Sequence, residues 1–163
     1  MAEPKHAKVK ISELYQVGIV VQDLDKSMER YQSTFGIGPW TVMNIDPSIF
    51  SEMTYHGRPV QHKFRAALAM VGPMQLELIE PIEGDNIFSD FLKEHGEGVH
   101  HLGHVMVKNL DEAIQALEKE GFPCLQSGCF PGGGYAYIDT LKTLGTIIEL
   151  LAIPEGAPAP GRT

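Results

Sequence analysis

Cysteine is scarce in this 163-residue chain: it has two, Cys124 and Cys129, and their spacing is not C-x-x-C. A disulfide framework is excluded, and free thiols in a reducing, cytoplasmic setting are expected rather than a redox pair. Long apolar runs are missing. None approaches the ~20 residues that span a bilayer, so no membrane helix is expected. The first ten residues carry lysines but no apolar stretch, so no secretory signal is expected. Positive charge is also short, with 13 Lys and Arg against 21 Asp and Glu, a net charge of −8. Non-specific nucleic-acid binding depends on clustered Lys and Arg, so that class is not expected either. The acidity is read as solubility.

What the chain does have is an internal repeat. Tyr15-Gln16-Val17-Gly18-Ile19-Val20-Val21 is followed by Asp23-Leu24-Asp25-Lys26-Ser27-Met28. His100-His101-Leu102-Gly103-His104-Val105-Met106-Val107 is followed by Asn109-Leu110-Asp111-Glu112-Ala113-Ile114. Gly18 matches Gly103, and Leu24-Asp25 matches Leu110-Asp111 after a one-residue gap. Each copy reads as an apolar strand, a turn and an amphipathic helix. Met28, Tyr31 and Phe35 fall at helical intervals, as do Ile114 and Leu117. Asn109 and Glu112 form a capping pair, and Gly36 and Gly121 stand where C-terminal glycines end helices.

Further strands follow each helix, at 40–45, 64–71 and 74–80 in the first copy and at 122–126, 135–139 and 146–152 in the second. Each half therefore reads β-α-β-β-β, an α+β architecture. The expected organisation is a flexible start (1–10), a first module (11–81), a linker with a short helix (82–99), a second module (100–153) and a flexible tail (154–163). Phe88, Phe91 and Leu92 form the apolar face of the linker helix, and residues 46–61 are an extra loop of the first half.

Glu149 sits inside the apolar run Thr146–Ile153, and Glu77 takes the same place in the first half's last strand. Gln16 and His101 are likewise matched, each at the head of its module's first strand. A buried, unpaired charge is expensive, so these carboxylates need a partner. Modules packed about a pseudo-two-fold axis would bring one amide, one imidazole and two carboxylates together. That set suits one divalent ion (zinc, cobalt, nickel, manganese or magnesium), whose charge the carboxylates neutralise. His100 and His104 are expected on the opposite strand face from His101 by simple alternation.

At these residues the chain resembles the vicinal-oxygen-chelate superfamily, which includes glyoxalase I, methylmalonyl-CoA epimerase, extradiol dioxygenases and bleomycin-resistance proteins. The likeness runs from about Ile11 to Ile153. The epimerase branch is the nearest match, through Gly96-Glu97-Gly98-Val99-His100-His101-Leu102, Met74-Gln75-Leu76-Glu77-Leu78-Ile79-Glu80-Pro81, Pro131-Gly132-Gly133-Gly134 and Ile147-Ile148-Glu149-Leu150. The resemblance implies paired βαβββ modules forming a cupped mixed sheet around one metal held by Gln16, Glu77, His101 and Glu149. Epimerases usually carry His at the position of Gln16 and Gln at that of Glu77; the set found here is that of zinc glyoxalase I. Its long glutathione-binding elements are not recognisable in this chain.

Both branches abstract a proton next to a carbonyl. By resemblance Glu149 is the first choice for the base and Glu77 the second. Arg58 and Arg65, with His62 and Lys63, are candidates to meet a substrate carboxylate or phosphate, and Trp40 and Phe50 to line an apolar pocket; a solvated basic patch and core packing are the plainer readings. Three functions stand: an isomerase or epimerase acting beside a carbonyl, on substrates that include acyl-CoA; a glyoxalase-type lyase; and a metal-free small-molecule binding protein. A small-molecule substrate and a homodimer are expected from the family.

Overall fold

The computed structural model describes residues 7–157. In chain order its elements are β1 (Gln16–Val20), α1 (Leu24–Phe35), β2 (Thr41–Ile45), β3 (Ser51–Tyr55), β4 (Arg58–Pro59), β5 (Lys63–Val71), β6 (Met74–Glu83), α2 (Ile87–His95), β7 (Gly98–Met106), α3 (Leu110–Lys119), β8 (Cys124–Phe130), β9 (Gly133–Ile138), α4 (Leu141–Leu144) and β10 (Ile147–Ala152). The flexible ends expected at 1–10 and 154–163 fall partly outside the described residues. No helix among the described residues is long and apolar enough to cross a membrane.

The helix boundaries follow local chemistry. Asp23 caps α1 by accepting from the Lys26 amide, and Gly36 closes it in the left-handed conformation with φ 69°. Asn109 caps α3 through the Glu112 amide. Asn86 caps α2 through the amides of Phe88 and Ser89. Met28 and Tyr31 pack under α1, Ile114 and Leu117 under α3, while Phe35 is exposed.

The ten strands of the described residues form one curled sheet in the order β2-β5-β6-β1-β7-β10-β9-β8-β3-β4. The order is symmetric about the β1–β7 junction: β6 answers β10, β5 answers β9, and β2 answers β8. That is the two-fold arrangement of βαβββ modules. The main core lies inside the curl, with Phe88 of α2 fully buried against Phe64 and Tyr137.

The stretch 46–61 differs from the expected loop. It carries the β3–β4 hairpin, and β3 pairs with β8 of the other module. Phe50 and Met53 are buried, and the Thr54 and Ser127 hydroxyls lie 2.7 Å apart. The first half's insertion thus extends the second half's sheet, because its apolar residues gain a wall there.

Candidate metal centre

The two central strands place the candidate groups. β1 and β7 run antiparallel, with Gln16 opposite Gly103 and His101 opposite Gly18. Glu77 on β6 lies beside Gly18 in the parallel pairing with β1. Each glycine makes room for the other module's polar side chain. A Cβ at Gly18 would fall inside the His101 ring, and one at Gly103 would lie 2.5 Å from Gln16 Oε1 and 2.6 Å from Glu149 Oε2.

Gln16, Glu77, His101 and Glu149 are brought together and are 1, 9, 0 and 5% exposed. His101 Nε2 lies 3.4 Å from Glu77 Oε2, 3.4 Å from Gln16 Oε1 and 3.9 Å from Glu149 Oε2. Two ligands ~2.1 Å from one ion stand roughly 3.0–3.4 Å apart, so most of these separations fit a shared cation. Among the described residues, no cluster of three or more His, Cys, Asp and Glu side chains stands ready-made as a cation cage. The present set is looser at Glu149, and one member is an amide. Glu77 Oε2 and Glu149 Oε2 are buried without a hydrogen-bond partner among the described residues. Two such oxygens call for a cation or a proton.

Three further groups stand at the site, two that the sequence did not mark and one, His104, expected on the opposite strand face. Gln75 accepts a 2.9 Å hydrogen bond from Gln16 Nε2, which turns Gln16 Oε1 toward His101. Its signal was its place two residues before Glu77, on the same strand face. Tyr137, opposite Glu149 in the β9–β10 pairing, hydrogen-bonds the Glu149 carboxylate. His104 corrects the alternation argument. The register jumps from Ile148↔Leu102 to Leu150↔Val105, so Gly103 and His104 together face Glu149 in a bulge. His104 Nε2 therefore reaches Glu149 Oε2 at 3.3 Å, while Nδ1 lies 3.3 Å from the Tyr15 hydroxyl. Gly103 was the signal, since a glycine inside a strand often marks a bulge. His100 instead packs on Phe88 and Phe91 of α2.

Burial sets the charge states. It pushes Glu77 up to about 8. It pushes Glu149 well above the usual carboxylate range, with the nearby Glu77 charge adding to the rise and the Tyr137 hydrogen bond opposing it. Burial also lowers His100, His101 and His104 to about 3, leaving neutral rings. Neutral imidazole is the form that binds metal.

These shifts give the metal-free protein a stability optimum. Between pH ~3 and ~6.5 the unfolded chain binds more protons at the histidines, so stability rises with pH, opposed only in part by the glutamates. Between pH ~6.5 and ~8 only the glutamates differ: the native state keeps protons that the unfolded chain has released. Stability should then fall as the pH rises. Thermal unfolding of chelator-treated protein should show a maximum near pH ~6.5, and zinc should restore the loss at the alkaline end. A melting temperature still rising toward pH ~8 would contradict this charge assignment.

A cavity of 450 Å³ opens over these groups, lined by Gln16, Glu77, His104, Tyr137 and Glu149 at one end and chiefly by apolar side chains elsewhere, Phe50 among them. The other candidate substrate residues lie outside its lining. Arg65 is held by Asp25 at 2.9 Å and Glu80 at 3.2 Å. Arg58 stands 5.8 Å from the centre of the Tyr55 ring at the sheet edge. Trp40 packs edge-on against Tyr31 under α1. His62 is buried beside Phe64.

Solved structures share this fold. The crystal structure of methylmalonyl-CoA epimerase from Mycobacterium tuberculosis matches with a TM-score of 0.60 and 22% identity, covering 95% of each chain. A Streptomyces coelicolor methylmalonyl-CoA epimerase variant in complex with 2-nitronate-propionyl-CoA matches with a TM-score of 0.60 and 19% identity, over 89% of this chain and 99% of that one. At these identities the likeness concerns the fold alone. The uncharacterized protein YqjC of Bacillus subtilis (strain 168) is 32% identical over 95 residues, which span 55% of this chain and 66% of that protein. The family model of the Glyoxalase/Bleomycin resistance protein/Dioxygenase superfamily matches residues 15–138, and the chain belongs to that superfamily.

Proposed function

We propose that the protein is a metal-dependent isomerase or epimerase that transfers a proton at a carbon next to a carbonyl. One observation carries the reading: Glu77 and Glu149 are buried beside neutral His101, and each keeps an oxygen without a hydrogen-bond partner among the described residues. Gln16, Glu77, His101 and Glu149 would hold the ion. When bound, a divalent ion supplies Lewis acidity that lowers the energy of the enolate.

The chain's own residues do the rest. Glu149 takes the proton. Tyr137 holds its carboxylate by a hydrogen bond, His104 flanks the other side at 3.3 Å, and Glu149 is part of the cavity lining. A base fixed this way needs no reorientation to reach a carbon acid lying over it. Glu77, also in the lining, returns the proton. The apolar walls keep bulk water from quenching the carbanion.

A glyoxalase-type lyase acting on a thiol adduct is the second reading, favoured by the Gln-Glu-His-Glu donor set. A homodimer remains the expected assembly. Deuterium incorporation tests both enzymatic readings, with methylmalonyl-CoA, the glutathione hemithioacetal of methylglyoxal and uncharged α-hydroxy ketones offered to zinc- and cobalt-loaded protein in heavy water. Ion-dependent exchange in any of them supports proton transfer, and the reactive member separates the readings. A protein that takes up no ion and shows no exchange would leave the metal-free small-molecule binding protein, and an ion-loaded protein without exchange would contradict both enzymatic readings.

A further inference from the structure

The walls of the 450 Å³ cavity say more about the ligand than its floor does. The volume is in the lower part of the ~300–1,000 Å³ range of small-molecule sites. No Lys or Arg is among the described residues lining it. The basic residues of the neighbouring segment are engaged elsewhere: Lys63 with Glu83 at 2.7 Å, Arg65 with Asp25 and Glu80, and Arg58 against Tyr55. His104, the lining imidazole, already stands between Glu149 and Tyr15.

Charge counting then decides. Two ionised carboxylates offset one divalent ion, so the floor keeps no positive charge with which to receive an anion. A carboxylate or phosphate would enter a mostly apolar cavity unpaired, which is costly. The chain's net charge of −8 also repels polyanions on approach. One wall is aromatic: Phe50 meets Phe130 and Tyr135 edge-on, with ring centres 5.9 and 6.1 Å apart. Asn44 and Tyr135 are the uncharged polar residues of this part of the lining.

We propose that the compound bound here presents an uncharged carbonyl to the Glu77–Glu149 floor and an apolar, ring-sized body to the Phe50 wall, and carries no carboxylate or phosphate inside the cavity. This rests on the proton-transfer reading for what happens at the floor; the class of ligand follows from the wall.

Titration calorimetry of zinc-treated protein with two probes of similar shape, 2-hydroxyacetophenone and the anion mandelate, tests it. The neutral probe should bind at least about tenfold more tightly. Ile49, 55% exposed and part of the lining, tolerates a charge at the rim. Ile49→Lys should shift the ratio toward mandelate by about threefold or more. Equal or tighter binding of mandelate to the parent protein overturns the proposal. So does a ratio unmoved by Ile49→Lys, or binding of neither probe. Zinc content is measured on the same samples. If no zinc is taken up, the metal reading fails by itself, and the probe ratio in the metal-free protein is judged by the same criterion.

Discussion

Glu149→Gln is expected to lower ion-dependent proton exchange by ~10²–10⁴-fold while leaving the protein folded. Gln has nearly the shape of Glu, so the packing around Tyr137 and the β9–β10 pairing should survive. What is lost is the basic oxygen. Tyr137 and His104 would then surround an amide that takes up no proton. The check is deuterium incorporation with each variant at saturating zinc, beside a melting curve. Glu77→Gln should weaken ion binding as well but keep more residual exchange, because Glu149 remains. Near-normal exchange in Glu149→Gln would remove Glu149 from the role of base. A smaller loss than in Glu77→Gln would exchange the two roles.

Gly18→Ala should be strongly damaging to both stability and ion binding. The new Cβ would occupy the His101 ring position, and that ring is fully buried. Overpacking of this kind costs about 1–3 kcal/mol. Displacing His101 should also weaken zinc binding by ~10–100-fold, the scale seen when a ligand loses its support. Gly103→Ala should act the same way from the other module, through Gln16 and Glu149. Gly98→Ala is the control: on the same strand β7, its Cβ would only touch Phe91 at 3.8 Å. It should stay within about 0.5 kcal/mol of the parent. Chemical denaturation and competition for zinc with a chromogenic chelator read both effects. A Gly18→Ala protein as stable as the Gly98→Ala control would mean that the glycine cradle is not what positions His101.

The fold was legible because the repeat carries it. Strand–turn–helix signals recur with Gly18 and Gly103 in the same place, and the sheet order is symmetric about those two strands. The convergence of Gln16, Glu77, His101 and Glu149 was legible for the same reason, since matched strand positions become neighbours across a two-fold. What was not legible depends on contacts that no local pattern encodes. The 46–61 insertion shows its strand β3 only when β8 is there to pair with it. His104 reaches Glu149 only because β7 bulges, which defeats alternation. Arg65 was within reach of a stricter reading. Phe64, Ala66 and Leu68 line the cavity, so the residues between them point to the helix side, where Asp25 and Glu80 wait.

The central claim is that one divalent ion belongs between the two modules, and elemental analysis of the purified protein tests it most directly, beside the Glu77→Gln, Glu149→Gln double variant. The account predicts about one ion per chain, as expected when two buried carboxylates need a cation, and its loss in the variant. A protein that takes up no zinc, cobalt, nickel or manganese, or a double variant that retains the full complement, would contradict it.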